Sequence, residues 1–213
     1  MSKKVRYPMS KTSDEIEAKF WISDLGTFQA RIQDSGARLT HRRVKEINLR
    51  FDTPDGTLSR QSRVLRLRKD YAVHLTYKGA ARPDEAVSVR QEIEFEVNSY
   101  KAARAFLEAL GYRVIVMYEK YRTGYEVNDL VIALDEMPFG NFCEIEGPNV
   151  PLIRSLADSL SLDWEARSQE SYLGLFSRLQ QSGLQAKNLT FDEFRGVLVN
   201  PEQLGLRPAD RII

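Results

Sequence analysis

The chain has 213 residues, enough for one large domain or two small ones, and its 42% hydrophobic content supports an ordinary packed core rather than a disordered tail. Lys+Arg 31 against Asp+Glu 30 leaves a net charge of +1, which argues against a general binder of nucleic acids or membrane surfaces. A single cysteine, Cys143, excludes an intrachain disulfide framework; no apolar run approaches ~18 residues and no signal-like stretch opens the chain, so the expected location is cytoplasmic.

Residues 1–13, with Lys3, Lys4, Arg6 and Lys11 around Pro8, read as a flexible lead-in. Glu15 to Phe20 then alternates, with Glu15, Glu17 and Lys19 on one face of a strand and Ile16, Ala18 and Phe20 on the other. Asp24 is placed to cap a helix through Leu25, Phe28, Ile32 and Ala37 that ends near Gly36. Strands are expected at Glu46–Asp52, Arg63–Arg68 and Val73–Lys78, the first of them followed by the turn Thr53-Pro54-Asp55-Gly56. Ser88–Val97 is the longest alternating run, and Ser99 caps a helix over Tyr100–Leu110 that Gly111 closes. Val114–Tyr121, Arg122–Val127 and Leu130–Glu136 read as three further strands, and a turn at Pro138–Asn141 leads into Phe142–Glu146. Beyond Gly147-Pro148 the pattern becomes helical at 151–160, about 169–181, and Thr190–Val197, where Thr190 and Glu193 suggest a capping box. The fold class is α+β, with eight or nine mostly antiparallel strands and a helical C-terminal part.

The polar sides of these strands segregate by sign. Glu15, Glu17, Glu92, Glu94, Asp135, Glu144 and Glu146 are the acidic candidates; Lys19, Arg66, Arg68, Lys78, Arg90, Lys120 and Arg122 are the basic ones. For any one strand a wet face of a one-sided sheet is the ordinary explanation. Repeated like-charge pairs are less ordinary. Residues i and i+2 lie roughly 7 Å apart, where two like charges repel by about 2.4 kcal/mol at an effective dielectric of ~20 and by about 0.6 kcal/mol in water. A sheet closed or nearly closed on itself explains the recurrence: acidic pairs would hold hard divalent cations, and Arg/Lys pairs a polyanion such as phosphate. His41 and His74 are too few for a histidine metal site, while Cys143, Trp21 and Trp164 read as packing residues.

Glu15-x-Glu17-x-Lys19 resembles the ExExK signature of the CYTH superfamily, the triphosphate tunnel metalloenzymes, which include class IV adenylyl cyclases, thiamine triphosphatases and inorganic triphosphatases. The likeness continues in order through Phe51-Asp52-Thr53-Pro54, Leu65-Arg66-Leu67-Arg68, Tyr77-Lys78-Gly79, Arg90-x-Glu92-x-Glu94, Glu119-Lys120-x-Arg122, Leu134-Asp135 and Gly140-x-Phe142-x-Glu144-x-Glu146. The resemblance implies a tunnel domain over 14–182, a closed or nearly closed antiparallel β-barrel of about eight strands with helices outside, preceded by the lead-in and followed by a helical extension over 183–213. It also implies Mg²⁺ or Mn²⁺ held by Glu15, Glu17, Glu144 and Glu146, with Asp135, Glu92 and Glu94 assisting. Lys19, Arg66, Arg68, Lys78, Lys120 and Arg122 then hold phosphate, and Arg90 either joins them or ties down carboxylates. Lys19, Glu17 and Glu144 are the catalytic candidates, with the water-orienting partner of Lys19 unassigned. The expected activity is hydrolysis of a small-molecule triphosphate, inorganic or organic. Conversion of ATP to cAMP and pyrophosphate is the first alternative, and non-catalytic binding of polyphosphate or nucleotide the second. No nucleic-acid or membrane partner is expected and a homodimer is left open. For 183–213 a lid, a docked flap and a dimer contact are the alternatives.

Overall fold

The computed structural model of the protein describes residues 11–83 and 85–210. Strand β1 (Lys11–Ile22) leads to helix α1 (Leu25–Asp34), β2 (Arg38–Asp52), α2 (Thr57–Arg60), β3 (Val64–Lys69), β4 (Val73–Lys78), β5 (Ser88–Glu96) and α3 (Tyr100–Ala109). There follow β6 (Arg113–Val127), β7 (Leu130–Met137), β8 (Gly140–Glu146), α4 (Val150–Ser159), β9 (Arg167–Ser168) and α5 (Tyr172–Gln181), with 3-10 turns at Trp164–Ala166 and Pro201–Leu204. The strands pair in the order β5-β4-β3-β2-β6-β7-β8-β1, and β1 returns to β5, so eight antiparallel strands form a ring. That ring is the expected tunnel. β1 makes the closure by changing partners: Lys11–Glu17 pair with β5, Glu17–Ile22 pair with β8, and β9 takes up Lys19 and Phe20.

Strand parity decides what faces inward. On β1, Ala18 and Phe20 turn outward into a core with Phe28 and Ile32 of α1 and Ile153 and Ala157 of α4, while Glu15, Glu17 and Lys19 turn into the ring. α3 covers another part of the ring, packing Leu107 on Leu49, Phe51 and Leu67. A third cluster joins Trp21, Phe139 and Phe142 to Tyr172, Leu175 and Phe176 of α5 and to Leu189, Phe194 and Leu204 of the C-terminal segment. It seals part of one end of the ring with apolar surface. Gly140 makes that packing feasible, because a Cβ there would run into the Trp21 ring.

Local chemistry sets the helix boundaries. Asp24, Ser99 and Asn149 accept from the N–H groups of Thr27, Ala102 and Leu152, capping α1, α3 and α4. Asp52 organises the turn after β2, accepting from the N–H of Thr53 at 2.7 Å, of Leu58 at 2.8 Å and of Ser59 at 2.9 Å, which fixes the short helix α2.

Several boundaries differ from expectation. The lead-in of residues 1–10 lies outside the described residues, whereas Lys11–Ser13 already belong to β1. β2 begins eight residues before Glu46, at Arg38; its exposed first half lacks an apolar stripe and is held by backbone pairing to β6. The two strands expected at 114–127 are one strand, β6, which carries no turn residue at Tyr121-Arg122 and pairs with β7 from Tyr121 onward. Thr190–Val197 is a run of turns, not a helix. Thr190 Oγ1 does accept from the N–H of Glu193, but the Glu193 carboxylate accepts from the N–H groups of Lys187 and Asn188, so the reciprocal half of the capping box is missing. The segment docks on the barrel: Leu189 exchanges backbone bonds with Met117 and Glu119, the N–H of Ala209 donates to the Trp21 carbonyl, and Asp210 accepts from the N–H groups of Ser23 and Asp24. Among the described residues no helix is long and apolar enough to cross a membrane.

Candidate active site

Inside the ring lies a cavity of about 210 Å³ whose wall carries eight basic side chains, Lys19, Arg50, Arg66, Arg68, Lys78, Arg90, Lys120 and Arg122, and six acidic ones, Glu15, Glu17, Glu92, Glu94, Glu144 and Glu146. All seven basic candidates from the sequence converge here, with six of the seven acidic ones. Asp135 also points into the ring but is fully buried beneath Lys120 and Arg122.

The β6–β7 side is a compensated network. Asp135 accepts from Lys120 Nζ at 2.9 Å, from Arg122 Nε and Nη2 at 2.6 Å each, and from the Tyr172 hydroxyl at 2.9 Å. With both oxygens occupied it anchors the two cations and does not reach the cavity. Arg122 also reaches Glu144 at 2.5 Å, and buried Glu46 lies 3.6 Å from Lys120. Burial raises the pKa of Glu46, but Lys120 and Arg122 more than offset it and bring it down to about 2. Glu144 is likewise held well below the carboxylate range: burial opposes, and Lys19 and Arg122 prevail. Burial, then Asp135 and Glu144, push the Tyr172 phenol well up, so it stays protonated and donates.

The β2–β3 side is different. Arg50 stands directly opposite Arg66 in the strand register. Arg66 and Arg68 share one carboxylate, Glu94, at 3.3 and 3.1 Å, and Thr76 donates to the same group at 2.7 Å. Burial works against the charge on Glu94, yet Arg68 and Arg66 bring its pKa down to about 2. Arg50 is depressed, first by burial and then, against the pull of Tyr118, by Arg66 and Arg90. Among the described residues the buried Nε groups of Arg50, Arg66 and Arg90 and the side-chain amide of Asn48 have no hydrogen-bond partner, while Arg68 Nε lies 3.2 Å from Asp70. An unfilled set of donors of this kind fits an anion.

Across β1 and β8 the sign reverses. Glu17 stands directly opposite Glu146, and Lys19 opposite Glu144. Burial, then Glu144 and Glu15, push Glu17 up to about 6. Lys78 reaches the two oxygens of Glu15 at 2.5 and 2.6 Å and Glu92 at 3.7 Å; burial opposes its charge, but Glu15 and Glu17 keep its pKa above the usual lysine value. Lys19 Nζ lies 3.3 Å from Glu144, donates to the Glu170 carbonyl at 3.2 Å and sits 4.5 Å from the centroid of the Tyr172 ring. Among the described residues no three acidic, histidine or cysteine side chains are arranged to hold a metal ion as they stand, because Glu15 and Glu144 are turned towards cations. The donor chemistry nevertheless fits one. Hard divalent cations take carboxylate oxygens, and mutual repulsion of Glu17, Glu144 and Glu15 is what such a charge relieves.

The sequence leaves some residues of the site and its support unassigned. Arg50, Glu46 and Asn48 share one parity on β2, and Tyr118 shares that of Lys120 and Arg122 on β6, so extending the alternation finds them. Tyr172 comes from the first turn of α5 and no strand pattern points to it.

A family model, the CYTH domain, matches residues 13–149. No curated protein matches the chain. Among solved structures, a Vibrio parahaemolyticus protein described as a candidate adenylate cyclase is 23% identical, with a TM-score of 0.70, covering 78% of this chain and 99% of that one. A Pyrococcus horikoshii protein is 25% identical, with a TM-score of 0.64 over 75% of this chain and 97% of its own. A Hippeastrum protein, described as a candidate adenylyl cyclase with a dominant triphosphatase activity, is 20% identical, with a TM-score of 0.56 over 91% of this chain and 100% of that one.

Proposed function

The chain belongs to the CYTH family, and from that membership together with the lumen geometry we propose that it is a divalent-metal-dependent triphosphatase acting on a small-molecule triphosphate. One observation carries the reading. Inside a single ring, burial and then Glu144 and Glu15 push the Glu17 carboxyl up, and Arg50 faces Arg66, so like charges are held close on both walls. A divalent cation suits the carboxylates and a polyphosphate the arginines.

Glu15, Glu17, Glu144 and Glu146 are the residues that would hold Mg²⁺ or Mn²⁺, which supplies Lewis-acid polarisation of a phosphoryl oxygen when bound. Arg66, Arg68, Lys78 and Arg90, with Arg50, present donors to the phosphate chain. Lys120 and Arg122 add charge at positions fixed by Asp135. Glu94 orients Arg66 and Arg68. In hydrolysis a water oxygen attacks the terminal phosphorus in line and the bridging P–O bond breaks. The electron pair leaves on the diphosphate, where the guanidinium groups neutralise it. Lys19, steadied by Glu144 and the Tyr172 ring, is placed to orient that water. Glu17, 4.0 Å from Lys19, is the carboxylate assigned to take the water's proton.

The test is a product assay with tripolyphosphate, thiamine triphosphate and ATP in the presence of Mg²⁺ or Mn²⁺. Orthophosphate is the expected product. Cyclic AMP with pyrophosphate would instead assign attack by the ribose hydroxyl on the α-phosphorus, and tight binding without any product would assign a binding module.

A further inference from the structure

Past Arg50, Val64, Arg90, Ser171 and Leu173 the lumen adjoins a second cavity of about 650 Å³, roughly three times the first. It lies where α5 crosses the end of the barrel, beside an irregularity in the β2–β6 pairing at Arg50/Phe51. Four cations line it, Arg50, Arg63, Arg90 and Lys187. Among the described residues the single acidic one on its wall, Glu170, is occupied by Arg178 at 2.6 Å. Among the described residues Arg50, Arg63 and Arg90 have no carboxylate within ion-pair distance, and the Nε groups of Arg50 and Arg90 are buried without a partner. Ser59 and Ser177 also line it, their hydroxyls donating to Asp52 and to the Leu173 carbonyl. The one aromatic among the described residues, Phe176, is 3% exposed and packed against Phe194 at 6.0 Å, so those residues offer no free ring face on which a base could stack.

We propose that this vestibule receives further phosphates of a linear inorganic polyphosphate whose terminal units occupy the lumen, which makes the protein prefer chains longer than three phosphates. The inference rests on the reading of the lumen as a triphosphate site. A triphosphate held at Arg50 and Arg90 leaves Arg63 and Lys187 uncompensated, whereas a fourth phosphate carries charge past the shared rim towards those two.

Calorimetric titration of the full chain with tripolyphosphate, tetrapolyphosphate and ATP tests it. Tetrapolyphosphate is expected to bind about tenfold more tightly than tripolyphosphate, the value of one charge-assisted contact. The double variant Arg63→Ala/Lys187→Ala changes two exposed side chains outside the lumen. It should reduce that ratio towards one while leaving tripolyphosphate affinity within about twofold. Equal affinity of the two chains, equal weakening of both in the variant, or no binding of either would overturn the inference. ATP binding more tightly than tetrapolyphosphate, with the loss in the variant confined to ATP, would overturn it in favour of a nucleoside pocket. Phosphate release measured alongside separates the two readings. A length preference without turnover defeats the enzymatic reading alone, and turnover without a length preference defeats the vestibule alone.

Discussion

On the β6–β7 wall Asp135 meets Lys120 and Arg122 at 2.9 and 2.6 Å, whereas across β1–β8 and β2–β3 like charges stand opposite each other. Both arrangements bury charge in the same ring, and the difference separates two uses of a buried ion. A compensated network fixes side chains in place. Like charges held close raise the energy of the empty site, and a ligand of opposite sign lowers it again.

Removing the anchor should give the largest effect. Asp135→Ala leaves Lys120 and Arg122 without their main carboxylate and is expected to destabilise the fold by about 3–5 kcal/mol, read as a shift of the urea midpoint. A change under about 1 kcal/mol would erase the distinction between the walls.

Glu17 should respond with the opposite sign. A carboxyl whose folded pKa is raised binds its proton more tightly in the folded chain, so its contribution is full below 4.5 and is lost as pH rises through about 6. Over 4.5 to about 6 this is about 2 kcal/mol lost from the metal-free protein. Glu17→Gln should recover much of it at neutral pH in the presence of a chelator; destabilisation there would contradict the account. Glu46 runs the other way. Its pKa is lowered to about 2, so its stabilisation is present above 4.5 and disappears as pH falls through about 2.

The smallest effect is expected at Thr76→Val, which removes the hydroxyl between Arg66 and Glu94 but keeps both ion pairs to that carboxylate. About 1 kcal/mol of stability should be lost, and tripolyphosphate affinity should fall by only a few-fold.

Much of this contrast is legible in the chain. Alternation on β1 places Glu15, Glu17 and Lys19 on one face, and the same parity on β3, β5, β6 and β8 brings their counterparts into the ring. Parity does not say which charges compensate one another. Asp135 shares the inward parity of Ala133, and only depth and bonding to Lys120, Arg122 and Tyr172 keep it from the cavity. Nor does local pattern reveal Tyr172 or the docked course of residues 183–210. Those depend on where α5 crosses the barrel end and on isolated backbone bridges at Leu189 and Pro208. Thr190–Val197 illustrates the reverse error. Its cap-like spacing is present, but the Glu193 side chain serves the preceding turn.

The central claim is that the lumen carboxylates of β1 and β8 serve turnover and the arginines serve binding. Glu144→Gln tests it most directly, assayed beside the unaltered protein with tripolyphosphate and Mg²⁺, with phosphate release and calorimetric affinity measured on the same samples. Turnover is expected to fall by at least about a hundredfold while affinity for tripolyphosphate changes by only a few-fold. Unchanged turnover in Glu144→Gln, or an equal collapse of binding and turnover, would contradict the account.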